Sequence, residues 1–222
     1  MKRVIIQAAG EGKRWGNYLC VRKHFIKIQG EILIERIVRQ VKKYTNDIYI
    51  VGSDEQYKIE GCNLLIPNQN PKWKDCSIFK SSEFLWSNES ETVLMAGDAY
   101  YTNKAINLIF NHDLDWRWVA RLSPSSCTGC KYKETFALSF KNNMNNIISN
   151  YIDEIIEKKI MRLSNYHLMA KLVNKKINDL KGCKDIEEIK NHPNIAHIDD
   201  WTEDFDYPHD LERWKEGRKK LL

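Results

Sequence analysis

Short apolar runs alternate with helical stripes along the first half of the chain. Val4, Ile5 and Ile6 follow two basic residues and predict a buried strand at the amino end of an α/β sheet. Ile32, Leu33, Ile37 and Val41 recur near helical spacing. They end at Lys42 and Lys43, where the helix dipole favours cations. Residues 48–51 predict a second strand, closed by Gly52-Ser53-Asp54, in which Ser53 or Asp54 can cap a short helix. Residues 63–66 predict a third strand, ended by Pro67, and a polar loop over 68–74 follows with Pro71 and Trp73. Asp75 or Ser77 then caps a helix whose apolar residues are Ile78, Phe79, Phe84, Leu85 and Trp86, with Trp86 read as core. Residues 92–96 are another buried strand. This order predicts an α/β fold: a Rossmann-like, mostly parallel, doubly wound sheet flanked by helices.

The second half adds a small β excursion and a helical segment. Strands over 117–122 and 135–140 bracket a turn-rich stretch, 123–133. Ile148, Ile152, Ile155, Ile156 and Ile160 then mark one amphipathic helix. Leu168, Leu172, Val173, Ile177 and Leu180 mark a second, stopped by Gly182. These helices are expected to cover a sheet face or part of a homodimer surface. Residues 195–198 predict a final short strand, followed by an acidic stretch from Asp199 to Glu212 and a last helix beginning near Asp210. The whole chain, 1–222, is expected to be one domain, with 117–190 as an acceptor-binding, covering or dimer region.

Composition narrows the class. A chain of 222 residues, 42% hydrophobic and 29% charged, has the balance of a soluble globular protein. No apolar run reaches the length of a membrane span, and the first one stops at Ile6, too soon for a signal peptide, so the cytoplasm is the expected location. A net charge of +5 is compatible with an anionic substrate, but is too small and dispersed to indicate nucleic acid. Six cysteines without a secretory signal read as free thiols. Cys127-Thr-Gly-Cys130 has no second pair and no histidine pair at zinc spacing, so it reads as two ordinary loop cysteines.

The chemistry concentrates after the first strand, in Ala8-Ala9-Gly10-Glu11-Gly12-Lys13-Arg14-Trp15-Gly16. Small residues let backbone N–H groups close around an anion, and Lys13, Arg14 and Lys23 add cations. A triphosphate needs both. The P-loop triplet Gly-Lys-Ser/Thr is missing. The dinucleotide fingerprint fails because the third glycine, Gly16, comes one place late. Asp98 follows the strand over 92–96 and is a candidate for a divalent cation such as Mg2+, which takes one or two carboxylates plus phosphate oxygens; a helix N-cap is the alternative. In the acidic stretch, Asp206 is a candidate second ligand brought back to the first loop. A solvated acidic loop with Asp210 capping the last helix is the competing reading. Arg121, Lys131, Lys133 and Glu134 are candidates for holding an acceptor's phosphate and hydroxyls.

The string Ala-Ala-Gly-x-Gly-x-Arg-x-Gly after a first strand, the later Lys23, Gly97-Asp98 and the stretch around Asp206-Tyr-Pro-His-Asp-Leu resemble the compact nucleotidyltransferases. That group includes molybdenum-cofactor guanylyltransferase and the cytidylyltransferases for methylerythritol phosphate and Kdo. The resemblance implies a Rossmann-like domain that joins a nucleoside triphosphate to a phosphorylated metabolite, such as a sugar or polyol phosphate, and releases pyrophosphate. It implies nucleotide contacts from Ala8, Ala9, Gly10, Glu11, Gly12 and Lys13, and charge stabilisation by Arg14 and Lys23. It further implies Mg2+ (or Mn2+) on Asp98 and Asp206, with Asp204 as the substitute ligand or an acceptor contact beside Arg121, Lys131 and Glu134. Gln7 in place of the usual Leu, and the missing Pro before Lys23, are departures read as variation within the family. The Lys-His-Phe run and the compact length lean towards CTP. A catalytically silent nucleotide-binding module and an NAD-dependent oxidoreductase are the alternatives.

Overall fold

The computed structural model describes all residues except 17, 69, 71, 73–75, 159–163, 176–187 and 220–222. Its strands are β1 (Lys2–Gln7), β2 (Lys27–Ile28), β3 (Glu31–Ile32), β4 (Ile48–Val51), β5 (Asn63–Leu65) and β6 (Glu91–Ala96), followed by β7 (Ala99–Tyr100), β8 (Trp116–Arg121), β9 (Glu134–Phe140), β10 (Ile195–His197) and β11 (Glu203–Asp204). The helices that matter here are α1 (Leu33–Val41), α2 (Ser77–Lys80), α3 (Asn103–Phe110), α4 (Asn145–Glu157), α5 (Ser164–Leu172) and a C-terminal helix, Pro208–Lys219.

Strand alternation divides the apolar run of β1 between two cores. Val4 and Ile6 pack with Ile34, Ile37 and Val41 of α1 and with Ile106 and Ile109 of α3. Ile5, on the opposite face, packs with Trp118, Phe140, Ile148 and Ile152. All three β1 residues are fully buried, each burial being worth roughly 1.5–3 kcal/mol, and a one-residue slip would reverse their faces, so the register is pinned. The main sheet runs β10-β8-β9-β6-β1-β4-β5. β1 is parallel to β4 and β6, β4 to β5 and β10 to β8; β9 is antiparallel to both β6 and β8. The fold is therefore the expected mostly parallel α/β sheet with helices on both faces. Because β9 runs backwards, its first residue, Glu134, lies at the carboxyl edge of the sheet opposite Arg121. Ligands bind at that edge in folds of this kind.

Two small ribbons were not legible in the sequence. β2 and β3 form a hairpin whose turn residues, Gln29 and Gly30, both have positive φ, as a tight two-residue turn requires. β7 pairs antiparallel with β11, placing Glu203 opposite Tyr100 and Asp204 opposite Ala99. A third apolar cluster, with Trp15, Leu33, Tyr100, Phe205, Leu211 and Trp214, binds the first loop to this ribbon and to the C-terminal helix.

Other expectations change in detail. The helix expected through Trp86 breaks after Lys80, and a single turn, Glu83–Leu85, follows. Ser82 at the break is buried and its hydroxyl accepts from Gln7 Nε2 at 2.7 Å, while Phe84 is left 72% exposed rather than in the core. Trp86 is core and meets Phe140 edge-on. Asp54, not Ser53, caps its short helix, accepting from the Gln56 N–H. The C-terminal helix starts at Pro208, so Asp210 is its third residue and accepts from the Tyr207 N–H at 2.8 Å, a capping-box bond rather than an N-cap. Pro71, Trp73, Asp75, Ile160, Ile177, Leu180, Gly182 and Cys183 lie outside the described residues. Among the described residues, no helix is long and apolar enough to cross a membrane.

Candidate active site

The first loop leaves β1 between two neighbouring strands. The Ala8 N–H donates to Val51 O at 2.8 Å and the Gly97 N–H to Gln7 O at 2.9 Å. A Cβ on Gly97 would stand 2.7 Å from that same oxygen and 2.9 Å from Ala8 Cβ, so only glycine lets the end of β6 come this close. Ala8 is consequently buried against Gly97 and does not face the cleft, which corrects its expected nucleotide contact. Ala9, Gly10 and Glu11 do line it. Gly12, with φ of +60°, forms the reversal, its carbonyl accepting from the Trp15 and Gly16 N–H groups. Lys13 is 83% exposed and pairs with Glu11 at 2.6 Å, so its ammonium points to solvent and not over the cradle.

The β7–β11 ribbon assembles the acidic residues. Phe205 N–H donates to the Asp98 carbonyl, and one carboxylate oxygen from each of Asp98, Asp204 and Asp206 lies within 4.8 Å of the others. The rest of the acidic stretch anchors it. Asp199 accepts from the Ser126 N–H, and Asp200 accepts from Thr102 Oγ1 at the head of α3. Asp204 Oδ1 is buried without a hydrogen-bond partner. Burial, with Asp98 close by, holds the Asp204 carboxyl well above its ordinary range. Lys23 Nζ sits among these groups, paired with Asp98 and, at 3.1 Å, with Asp206 Oδ1. Burial opposes the Lys23 charge, but the three aspartates outweigh it and raise its pKa. Burial likewise opposes ionisation of Asp98, and Lys23 and His24 outweigh it, holding that carboxyl below its usual value. Arg14 reaches Asp206 Oδ2 at 2.6 Å and lies over the Tyr207 ring. An all-oxygen donor set with an orphaned buried oxygen fits a small hard cation such as Mg2+.

The cleft has two lobes, which meet at Ile78, Ala96 and Asp98. One, of about 520 Å³, is lined by the first loop, Gln7, His24, Pro67, Asn68, Asn70 and Ser81. The other, of about 730 Å³, is lined by Arg14, Lys23, Tyr132, Lys133, Glu134, Asn165, Tyr166, Asp204, Asp206, Tyr207 and Asp210. Asp204 and Glu134 thus face the second lobe as expected candidates. Arg121 does not. It is fully buried and its guanidinium is taken by Glu203 and by backbone carbonyls. Lys131 is exposed and lines neither lobe. Sequence reasoning missed Tyr132, Asn165, Tyr166 and Tyr207. Nothing local distinguishes them from surface residues, since their placement depends on how α5, the 123–133 excursion and the start of the C-terminal helix pack.

Burial pushes Glu134 up to about 8, Arg121 opposing and Asp206, Glu203 and Asp210 adding. At neutral pH it therefore presents a largely protonated carboxyl to the second lobe. Cys127 and Cys130 are free thiols. Cys130 lies with Glu134 and Glu203, but the Arg121 guanidinium is paired with Glu203, so a cation already neutralises that carboxylate.

His24 carries a pH prediction. It is buried and shares a 2.9 Å hydrogen bond with Tyr57, and burial pushes its imidazole down to about 4, Asp98 opposing and Lys23 and Arg22 adding. Between about pH 6.5 and 4 the unfolded chain binds a proton that the folded one does not, so stability falls as pH falls through that window. Urea titrations at pH 7 and pH 5 are expected to differ by about 2 kcal/mol through this group. His24→Gln should reduce the difference by that amount; an unchanged difference refutes the assignment.

The comparisons with known proteins agree with the fold. Residues 4–110 match the model of the MobA-like NTP transferase domain. The fold is shared with CTP:phosphocholine cytidylyltransferase from Streptococcus pneumoniae, at a TM-score of 0.62 and 16% identity over 97% of this chain and 98% of that one. It is shared with a Bacillus anthracis structure named for glucose-1-phosphate thymidylyl transfer, at 0.61 and 12% over 97% and 94%. The inositol-1-phosphate CTP transferase from T. maritima matches at 0.56 and 15% over 99% and 97%. No curated protein sequence matches the chain significantly. The class is that of a transferase enzyme acting on nucleotides. Within it, residues 4–110 are those of a MobA-like NTP transferase domain, and the whole chain shares the fold of nucleotidyltransferases.

Proposed function

We propose that the protein transfers a nucleotidyl group, from CTP first among the triphosphates, to a phosphorylated small metabolite such as a sugar or polyol phosphate. One observation carries the reading: the β7–β11 pairing gathers Asp98, Asp204 and Asp206 beside Lys23 and Arg14, where the two lobes meet. The lobe at the first loop takes the triphosphate, with the Ala9–Gly10 backbone at its phosphates and the amides of Asn68 and Asn70 available to the base. The lobe at Glu134 takes the acceptor. Two of the three compared structures carry CTP-using names, which supports the choice of CTP.

Asp98 and Asp206, with Asp204 beside them, would hold Mg2+ (or Mn2+), which would supply positive charge to offset that of the phosphates. An acceptor phosphate oxygen attacks the α-phosphorus as the bond to pyrophosphate breaks. Lys23 and Arg14 exchange their aspartate partners for phosphate oxygens and stabilise the charge that spreads in the transition state. Catalysis is mainly positioning and electrostatics, because the reaction needs little covalent help.

The test is a thermal-shift screen against CTP, UTP, GTP, ATP and NAD, each with and without Mg2+, followed by pyrophosphate release across phosphorylated metabolites. A ligand at about 100 times its Kd adds roughly 2.7 kcal/mol. For a chain of this length that is on the order of 5–10 °C. A Mg2+-dependent shift with CTP is the expected result. A shift with NAD alone, or silence from every triphosphate, overturns the proposal.

A further inference from the structure

Arg121 is the last residue of β8 and one of the largest fully buried side chains in the protein. Nη2 donates to Glu203 Oε1 at 2.8 Å and to the Tyr132 carbonyl at 3.5 Å, while Nη1 donates to the Thr202 carbonyl at 3.3 Å. Glu203 is equally buried, and its other oxygen accepts from Thr128 Oγ1 at 2.5 Å. One guanidinium therefore ties together three segments: the end of β8, the 123–133 excursion and β11.

β11 is two residues long, with only two residue pairs in its ladder. So short a ribbon fixes its own register weakly. Successive strand residues point to opposite sides, so Glu203 reaches back to Arg121 while its neighbour Asp204 faces the cleft. A buried ion pair is weak evidence for stability, because desolvation offsets its attraction, and specifying register is its best-attested use. We infer that Arg121 and Glu203 are positioning residues: their buried pair fixes β11, and so sets Asp204 and Asp206 opposite Asp98. The inference rests on the reading of those aspartates as the cation-holding group. It replaces the acceptor contact expected of Arg121.

The experiment is a Mn2+ titration, read from the electron paramagnetic resonance of the free ion and paired with a melting curve. It uses wild type, Glu203→Gln and the double variant Arg121→Met/Glu203→Met. Apolar replacement of both partners keeps the core filled, so the double variant should melt within a few degrees of wild type. Its Mn2+ dissociation constant should rise about 10-fold or more, as seen when groups that orient metal ligands are removed. Glu203→Gln keeps the size of the side chain and decides by the same criterion where the double variant does not fold. A folded variant that binds Mn2+ as wild type does overturns the positioning role and leaves the proposed function standing. Failure of wild type itself to take up Mn2+ removes both.

Discussion

Lys23→Ala is expected to lower turnover by roughly 10²–10³-fold, about 3–4 kcal/mol of barrier, at saturating triphosphate and Mg2+. The reason is the position of its ammonium. It is 9% exposed, paired with Asp98 and Asp206, and lies where the lobes meet. A cation held in a water-poor site by packing needs no reorganisation when charge develops, and that is where electrostatic stabilisation is largest. The loss should fall on kcat rather than KM, because the contact strengthens in the transition state. Without metal the variant should also melt at a lower temperature, since three aspartates would face one another with one fewer cation among them. Added Mg2+ should recover part of that loss. Near-normal turnover would remove the catalytic role from Lys23.

Asp98→Asn is expected to cost on the order of 10³-fold in turnover, about 4 kcal/mol, and to abolish the Mg2+-dependent part of the thermal shift with CTP. The amide keeps the side chain's shape. The backbone contact that holds the ribbon, from Phe205 N–H to the carbonyl of residue 98, does not involve the side chain, so the ribbon should persist. Lys23 keeps Asp206 as a partner. The variant is thus expected to fold and to retain a metal-independent shift with CTP. Full metal-dependent stabilisation in this variant would show that the cation binds elsewhere.

Much of this was legible in the chain because the signals are local. Three consecutive apolar residues before a glycine-rich string predict a buried strand that runs straight into a turn, and β1 with the reversal at Gly12 follows that prediction. The periodicities of α1 and α4 set which of their residues join the two cores. Local signals also misled. Phe84 reads as an apolar residue of the same helix as Phe79 but is exposed, because buried Ser82 bonds Gln7 and the helix breaks. Ala8 belongs to the same small-residue string as Ala9, yet it packs inward.

By itself the sequence determined the sheet, the glycine-rich first loop and the identity of Asp98, Asp206, Arg14 and Lys23 as candidates. Only the tertiary structure decided which acids and cations meet. The β7–β11 ladder has too few residues to leave a periodic trace, yet it brings Asp204 and Asp206 to Asp98. Arg121 and Lys131 look alike as sequence. One is sealed against Glu203 and the other stands in solvent, because burial depends on what the rest of the chain packs around a residue and not on its neighbours along the chain.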